Sequence, residues 1–244
     1  LMKGIGKGVR SFKDGMKEIE KDIDLESYFS MYADLAECGA KVALLDINEK
    51  AAQEVAASIG ENAIGIGTNC LVKESIIAAR DIIHEKWGKV NFLINGAGGN
   101  NPRASSDNEY MTPDTEGCKT FFDLEESGLK FVFDLNITSA FLVTQVFAED
   151  MVQTGGNIIN FTSASAYICS PGQAHYGASK GAVTAWTRTL AKDWMKYNIR
   201  VNMIAPCIKT PMYQQMRNMM TPEQLAIHDA TMKELCIGGE MGDP

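Results

Sequence analysis

Ser163, Tyr176 and Lys180 constrain what this chain can fold into more than any other residues do. The apolar run Ile158-Ile-Asn-Phe161 leads to Thr162 and Ser163, and turn residues including Pro171 and Gly172 follow. Tyr176 and Lys180 then stand four positions apart at the head of a long helical pattern. Residues i and i+4 share a helix face about one turn apart, so this spacing brings an ammonium near a phenol. A free tyrosine ionises near ~10, too high for a base at neutral pH, and a nearby positive charge favours the phenolate. A serine hydroxyl delivered by the end of the preceding strand can hold an alcohol or carbonyl oxygen beside that phenol. The set is suited to moving a proton between an alcohol and a ketone. A tyrosine four residues before a lysine also occurs on ordinary solvated helix faces; the order of strand end, serine, tyrosine and lysine gives this one its weight.

The rest of the composition narrows the class. A chain of 244 residues suits one α/β domain with a sizeable core. A formal charge of −8 argues against a general nucleic-acid binder. The six cysteines, at 38, 70, 118, 169, 207 and 236, form no C-x-x-C and no cluster with the three histidines. They read as buried thiols of a reducing compartment, which points to the cytoplasm. No apolar run approaches the ~18 residues of a membrane span, and no cleavable signal is visible.

From about Leu35 to about Thr210 the chain resembles the short-chain dehydrogenase/reductase superfamily, through Ser163, the thirteen-position step to Tyr176 and the four-position step to Lys180. The resemblance implies an α/β fold with a Rossmann-like, doubly wound parallel sheet. It implies an NAD-dependent oxidoreductase that interconverts a secondary alcohol and a ketone. Ser163, Tyr176 and Lys180 would be catalytic, with Tyr176 and Lys180 also at the cofactor. The words Leu135-Asn136 and Ser139-Ala-Phe141 match the family as well, which implies that Asn136 holds a water relaying protons to the lysine. Asn95-Gly96-Ala97-Gly98 stands where the family has N-N-A-G, so these four residues are expected at the cofactor.

The stretch Lys41-Val-Ala-Leu-Leu-Asp46 reads as a short buried strand. Its terminal carboxylate can accept hydrogen bonds from adenosine ribose hydroxyls and repels a 2′-phosphate, so the reading is NAD rather than NADP. The alternative is that Asp46 merely starts the helix at Glu49 to Ser58. Asn69 ends the strand from Ala63, where relatives often carry an aspartate near the adenine. Pro206-Cys207-Ile208-Lys209-Thr210 replaces the family's P-G segment, which puts Pro206 and Thr210 by the nicotinamide. Cys207 there lacks the backbone freedom of glycine. Helices are expected at 26–38, 73–87, 128–152 and 176–197, and further strands at 90–95, 156–163 and 199–206. The helix at 128–152 should bury Phe131, Leu135, Thr138, Leu142, Val146 and Phe147, and the next one Val183, Trp186, Leu190 and Trp194. Part of the latter's surface forms a subunit contact in relatives, which implies a homo-oligomer, dimer or tetramer.

Residues 1–24 differ in kind. Ile5, Val9, Phe12, Met16, Ile19 and Ile23 step by three and four, with lysines and Arg10 between them, as in a basic amphipathic helix. The stretch resembles the amphipathic helix of the small pore-forming subunit of the twin-arginine translocase, and such a helix can lie on an anionic membrane. The plainer reading is a surface helix packed on the domain. Gly4-Ile5-Gly6 is similar to half of the family's phosphate-cradling loop, yet that loop must follow a strand, and three residues leave no room for one. The domain at 25–244 is therefore expected to lack its first strand, central in the order 3-2-1-4-5-6, and also its C-terminal strand. NADH binding should be correspondingly feeble. A small helical lid is expected at 210–237, walled by Met212, Met216, Met219, Met220 and Met232.

The long polar stretch at 100–126 suggests a functional loop. Its words Asn101-Pro-Arg-Ala104 and Asp107-Asn-Glu-Tyr110 resemble a subgroup acting on sugar acids, including mannonate (fructuronate) reductases and similar to gluconate 5-dehydrogenases. A sugar acid or polyol is then the expected substrate. Arg103 is either a partner for its carboxylate or a solvated loop residue. Two other readings stand beside this one. The chain is a truncated or chimeric product that keeps the catalytic residues without seating NAD, or it works at a membrane surface through residues 1–24.

Overall fold

A computed structural model describes residues 26–106, 118–168, 171–209, 211–218, 220–235 and 241–242. They divide into two compact units, one of residues 67–206 and one of residues 26–66 with 207–242.

In the smaller unit, α1 (Glu26–Glu37) leads into β1 (Val42–Asp46), α2 (Glu49–Ile59) and β2 (Ala63–Gly67). Gly39 ends the first helix at φ 88°, a conformation that favours glycine. Val42 and Leu44 alternate inward from β1 and meet Ala36, Ala52 and Ala56 of the flanking helices. β1 pairs with β2. The alanine face of α2 comes so close to this pair that a β-carbon on Gly65 would lie 2.3 Å from the backbone carbonyl of Ala52.

The larger unit runs α3 (Lys73–Trp87), β3 (Phe92–Asn95), α4 (Glu126–Phe133), a π turn (Asp134–Thr138), α5 (Ser139–Phe147), β4 (Gly156–Phe161), α6 (Ala174–Asp193) and β5 (Ile199–Ile204). β3, β4 and β5 are parallel with β4 central, and Asn95 stands opposite Asn160. Ile76, Val132, Phe147, Met151, Ile158 and Val183 are fully buried around this sheet. The fold is Rossmann-like α/β with parallel strands. The described strands fall into two sheets instead of one, and no described strand pairs with both β1 and β3.

Three helical expectations are corrected. The continuous helix expected at 128–152 is interrupted by the π turn, which inserts one residue per turn at Asn136 and is a frequent mark of functional sites. The helical run Glu126–Met151 is also long and apolar enough to pass for a membrane span, contrary to the expectation, but 61% of that window is buried inside the protein. On α6 the buried face is made of hydroxyls. Ser179, Thr184 and Thr187 are buried with Val183, whereas Trp186, Leu190 and Trp194 are half-buried. Short hydroxyl side chains let the helix approach the strands closely, and Thr184 and Thr187 satisfy themselves on the carbonyls of Lys180 and Val183 four residues back.

The smaller unit closes with α7 (Pro211–Asn218) and α8 (Pro222–Leu235). Arg217 pairs with Asp229, and the Tyr213 hydroxyl lies 3.0 Å from His228 Nε2. Where the C-terminal strand was expected to be lacking, Ile208 and Gly242 form one parallel bridge, with the Lys209 N–H donating to the Gly242 carbonyl at 2.8 Å. Of the methionines expected to wall a lid, Met220 and Met232 are half-buried, and the side chains of Met212, Met216 and Met219 lie outside the described residues. The cysteines do not follow the buried-thiol expectation: Cys38 is exposed and Cys70, Cys118 and Cys207 are half-buried.

Candidate active site

β4 ends at Phe161, and Thr162 and Ser163 follow at its C-terminal edge. Ser163 is extended and caps the short turn Ala164–Ala166, its Oγ accepting from the Ser165 N–H at 3.2 Å. This turn packs directly on the start of α6, where a β-carbon on Gly177 would stand 2.9 Å from the Ser165 carbonyl oxygen. Tyr176 and Lys180 therefore enter the site from the first turns of α6, beside the serine.

Lys180 is 5% exposed, and its Nζ lies 5.8 Å from the centre of the Tyr176 ring. The ammonium donates to the Phe161 carbonyl at 3.0 Å. Burial disfavours its charge and brings its pKa from 10.5 down to about 8. At neutral pH it is still a cation next to the phenol. The hydroxyls of Thr162 and Thr184 lie 2.7 Å apart, and both reach the Lys180 carbonyl, at 3.2 and 2.9 Å. The residue before Ser163 is thereby fastened to the turn that carries Lys180.

Asn136 projects from the π turn and is 2% exposed. Its Oδ1 accepts from the Gly99 N–H at 2.9 Å, and its Nδ2 donates to the Gly99 carbonyl at 2.8 Å and to Ser179 Oγ at 3.0 Å. Ser179 Oγ donates onward to the Tyr176 carbonyl at 2.7 Å. Both amide hydrogens of Asn136 are thus taken by protein, so the side chain ties the loop after β3 to α6. Gly98 lies against the same group: a β-carbon there would stand 2.8 Å from Asn136 Oδ1 and 2.9 Å from Lys180 Nζ.

Asn95, expected at the cofactor, turns its side chain inward. It is 7% exposed, and its amide hydrogens go to Thr144 Oγ1 and Asn160 Oδ1, both at 2.8 Å; Asn160 in turn donates to Thr187 Oγ1 at 2.9 Å. Gly96 is half-buried, and Ala97 and Gly98 are exposed beyond it. Asp46, in the smaller unit, accepts from the Asn48 N–H at 2.8 Å, and Asn48 caps α2. Asn69 closes its own turn by accepting from the Leu71 N–H at 2.9 Å. Pro206 is exposed just past β5. Arg103 sits half-buried in the turn Pro102–Ala104. Thr210, residues 107–110 and the whole N-terminal stretch with Gly4-Ile5-Gly6 lie outside the described residues.

The sequence reading missed Thr162, Ser179, Thr184 and Asn160. A usable signal was present: Asn160 interrupts an apolar strand, and hydroxyls recur on the inner side of the helix that follows Tyr176.

Comparison with known proteins fits this geometry. Residues 29–221 match the family model of the short chain dehydrogenases. An uncharacterized oxidoreductase of Haemophilus influenzae is 45% identical over 177 residues, covering 70% of this chain and 62% of that protein. Another from Bacillus subtilis is 36% identical over 181 residues, covering 72% and 65%. The chain thus spans less than two thirds of the length of these relatives. The 3-beta-hydroxysteroid dehydrogenase of Comamonas testosteroni is 32% identical over 194 residues, covering 78% and 70%. Among solved structures, a candidate D-mannonate oxidoreductase from Haemophilus influenzae with bound NAD superposes with a TM-score of 0.79 at 36% identity, covering 89% of this chain and 79% of that one. An NAD+-bound xylitol dehydrogenase gives 0.74 at 28% identity, covering 88% and 82%. None of these matches supports the translocase-like reading of residues 1–24. By the match over 29–221 and the strand-end serine, tyrosine and lysine it contains, the chain belongs to the short chain dehydrogenase family.

Proposed function

We propose that this chain is an NAD-dependent oxidoreductase interconverting a secondary alcohol and a ketone on a sugar acid or polyol, of the fructuronate/mannonate type. The observation that carries the reading is the buried Lys180 ammonium 5.8 Å from the Tyr176 ring, with Ser163 at the adjoining strand end. The similarity to a candidate D-mannonate oxidoreductase and to a xylitol dehydrogenase supports the substrate class.

In this reading Ser163 Oγ holds the substrate oxygen, and the Tyr176 hydroxyl gives a proton to a ketone or takes one from an alcohol. Lys180, cationic below about pH 8, favours the phenolate and holds the nicotinamide ribose. Asn136 keeps the loop after β3 and the start of α6 at fixed separation.

The residues present fit the ribose and nicotinamide part of NAD. Lys180 Nζ lies 2.9 Å from where a β-carbon on Gly98 would stand, Gly96 and Ala97 add little bulk beside it, and Pro206 is exposed. Asp46 is the proposed partner of the adenosine ribose, and Asn69 of the adenine. When bound, the nicotinamide supplies or accepts the hydride. We propose in addition a homo-oligomer. An apolar depression of about 350 Å³ lined by Ile137, Thr138, Phe141, Ala182 and Trp186 supports a second copy as its occupant.

The test is a fluorescence titration with NADH and NADPH, followed by NADH-dependent reduction of fructuronate and a panel of ketoses. Saturable NADH binding with turnover of a sugar-acid or polyol ketone is expected. Absence of turnover on the whole panel at millimolar NADH overturns the reading.

A further inference from the structure

We infer that Ser179 is a positioning residue, which transmits the hold of Asn136 on Gly99 to the first turn of α6 and so sets Tyr176 relative to Lys180. This role rests on the proton-transfer reading of Tyr176.

Ser179 has no exposed surface. Its position is inside a helix, where alanine is the better helix former and would fill the space of a small buried side chain. A buried hydroxyl is costly unless its hydrogen-bonding capacity is used. Here it is used in one direction. The single hydroxyl hydrogen goes to the Tyr176 carbonyl at 2.7 Å, so Oγ meets Asn136 as an acceptor, at 3.0 Å.

That polarity matches the orientation Gly99 imposes on the Asn136 amide. Nδ2 must face Ser179, which leaves Oδ1 toward the Gly99 N–H at 2.9 Å. Turning the amide over would place Nδ2 against the Gly99 N–H and leave two buried donors facing one another. Gly99, whose carbonyl accepts from Nδ2 at 2.8 Å, and Ser179 thus select the same orientation of Asn136, with Oδ1 bordering Gly98, and Lys180 Nζ borders the same point. Thr162 and Thr184 hold the Lys180 carbonyl from the strand side. The turn from Tyr176 to Lys180 is gripped at both ends through its carbonyls, and Ser179 makes the grip at the tyrosine end.

The test compares Ser179→Ala and Ser179→Thr with wild type in the full chain. For Ser179→Ala, kcat of ketone reduction should fall about tenfold while KM for NADH and for ketone stay within about twofold, since one buried hydrogen bond is lost and no ligand contact. Its pH–kcat profile should shift, Ser179→Thr should regain most of kcat by restoring the hydroxyl, and NMR hydrogen exchange at the Gly99 amide should be faster in the alanine variant. An unchanged kcat and pH profile overturns the role and leaves the proton-transfer reading standing. A lowered melting temperature with unaltered kcat and Gly99 exchange makes Ser179 a packing residue, which also overturns it. A wild type without turnover removes the proton-transfer reading itself, and with it this role, even if Gly99 exchange still responds.

Discussion

Lys180 Nζ lies 2.9 Å from the point where a β-carbon on Gly98 would stand, and Asn136 Oδ1 lies 2.8 Å from the same point. The glycine makes room for the lysine head. Asn136 is held by three hydrogen bonds and cannot give way cheaply, so the flexible lysine end would move. Gly98→Ala should lower kcat by about 10²-fold, the scale of a catalytic group displaced by an ångström, with a modest change in melting temperature. Steady-state kinetics with a thermal melt checks this; unchanged kcat would show that Gly98 does not set the lysine.

Tyr176→Phe removes the phenolic hydroxyl and keeps the ring. Turnover should drop by about 10²–10⁴-fold, the usual loss when a general acid–base is deleted. The variant should melt with wild type. A Phe variant with unchanged kcat would remove Tyr176 from its role.

The buried ammonium of Lys180 carries a stability signature. Its native pKa is about 8, below the ordinary 10.5. Between these values the unfolded chain holds a proton that the native state has released, so the lysine's contribution makes stability rise with pH from about 8 to 10.5. Below pH 8 the native state bears the full cost of the buried charge. Urea unfolding of wild type and Lys180→Met at several pH values should show wild type gaining on the variant by on the order of 3 kcal/mol across that window. Parallel curves would contradict it.

Asp46 should make the chain prefer NADH over NADPH. Asp46→Asn keeps an oxygen to accept from the Asn48 N–H and removes the charge that repels a 2′-phosphate. The ratio of NADPH to NADH affinity should rise about tenfold, which corresponds to roughly 1.4 kcal/mol. An unaltered ratio would assign Asp46 to its turn alone.

Much of this was legible in the sequence because local signals agreed. Lys73 to Trp87 was delimited correctly by its periodicity, and the apolar run into Thr162 and Ser163 did end in a strand edge facing the helix of Tyr176. The π turn was hidden because apolar residues on both sides keep a helical period, and one inserted residue near Asn136 barely disturbs it. The inner face of α6 was misread because apolar counting favours Trp186 and Leu190, whereas the closeness of helix and strand selects Ser179, Thr184 and Thr187. The motif around Asn95 does not reveal what its side chain does. Only the three-dimensional pairing shows that Thr144 and Asn160 use up its amide hydrogens.

That pairing also acts as a proofreader. Asn95 and Asn160 are register partners toward the ends of β3 and β4, and they bond to each other in the buried interior. A slip of two residues would set Asn95 against Ile158, or Leu93 against Asn160. Each stranded buried amide would cost about 1–3 kcal/mol, and a slip of one would turn the side chains to the wrong face. Misalignment is penalised instead of merely unrewarded. The heights at which Gly96 and Ser163 leave their strands are consequently settled while the chain folds, before any ligand arrives.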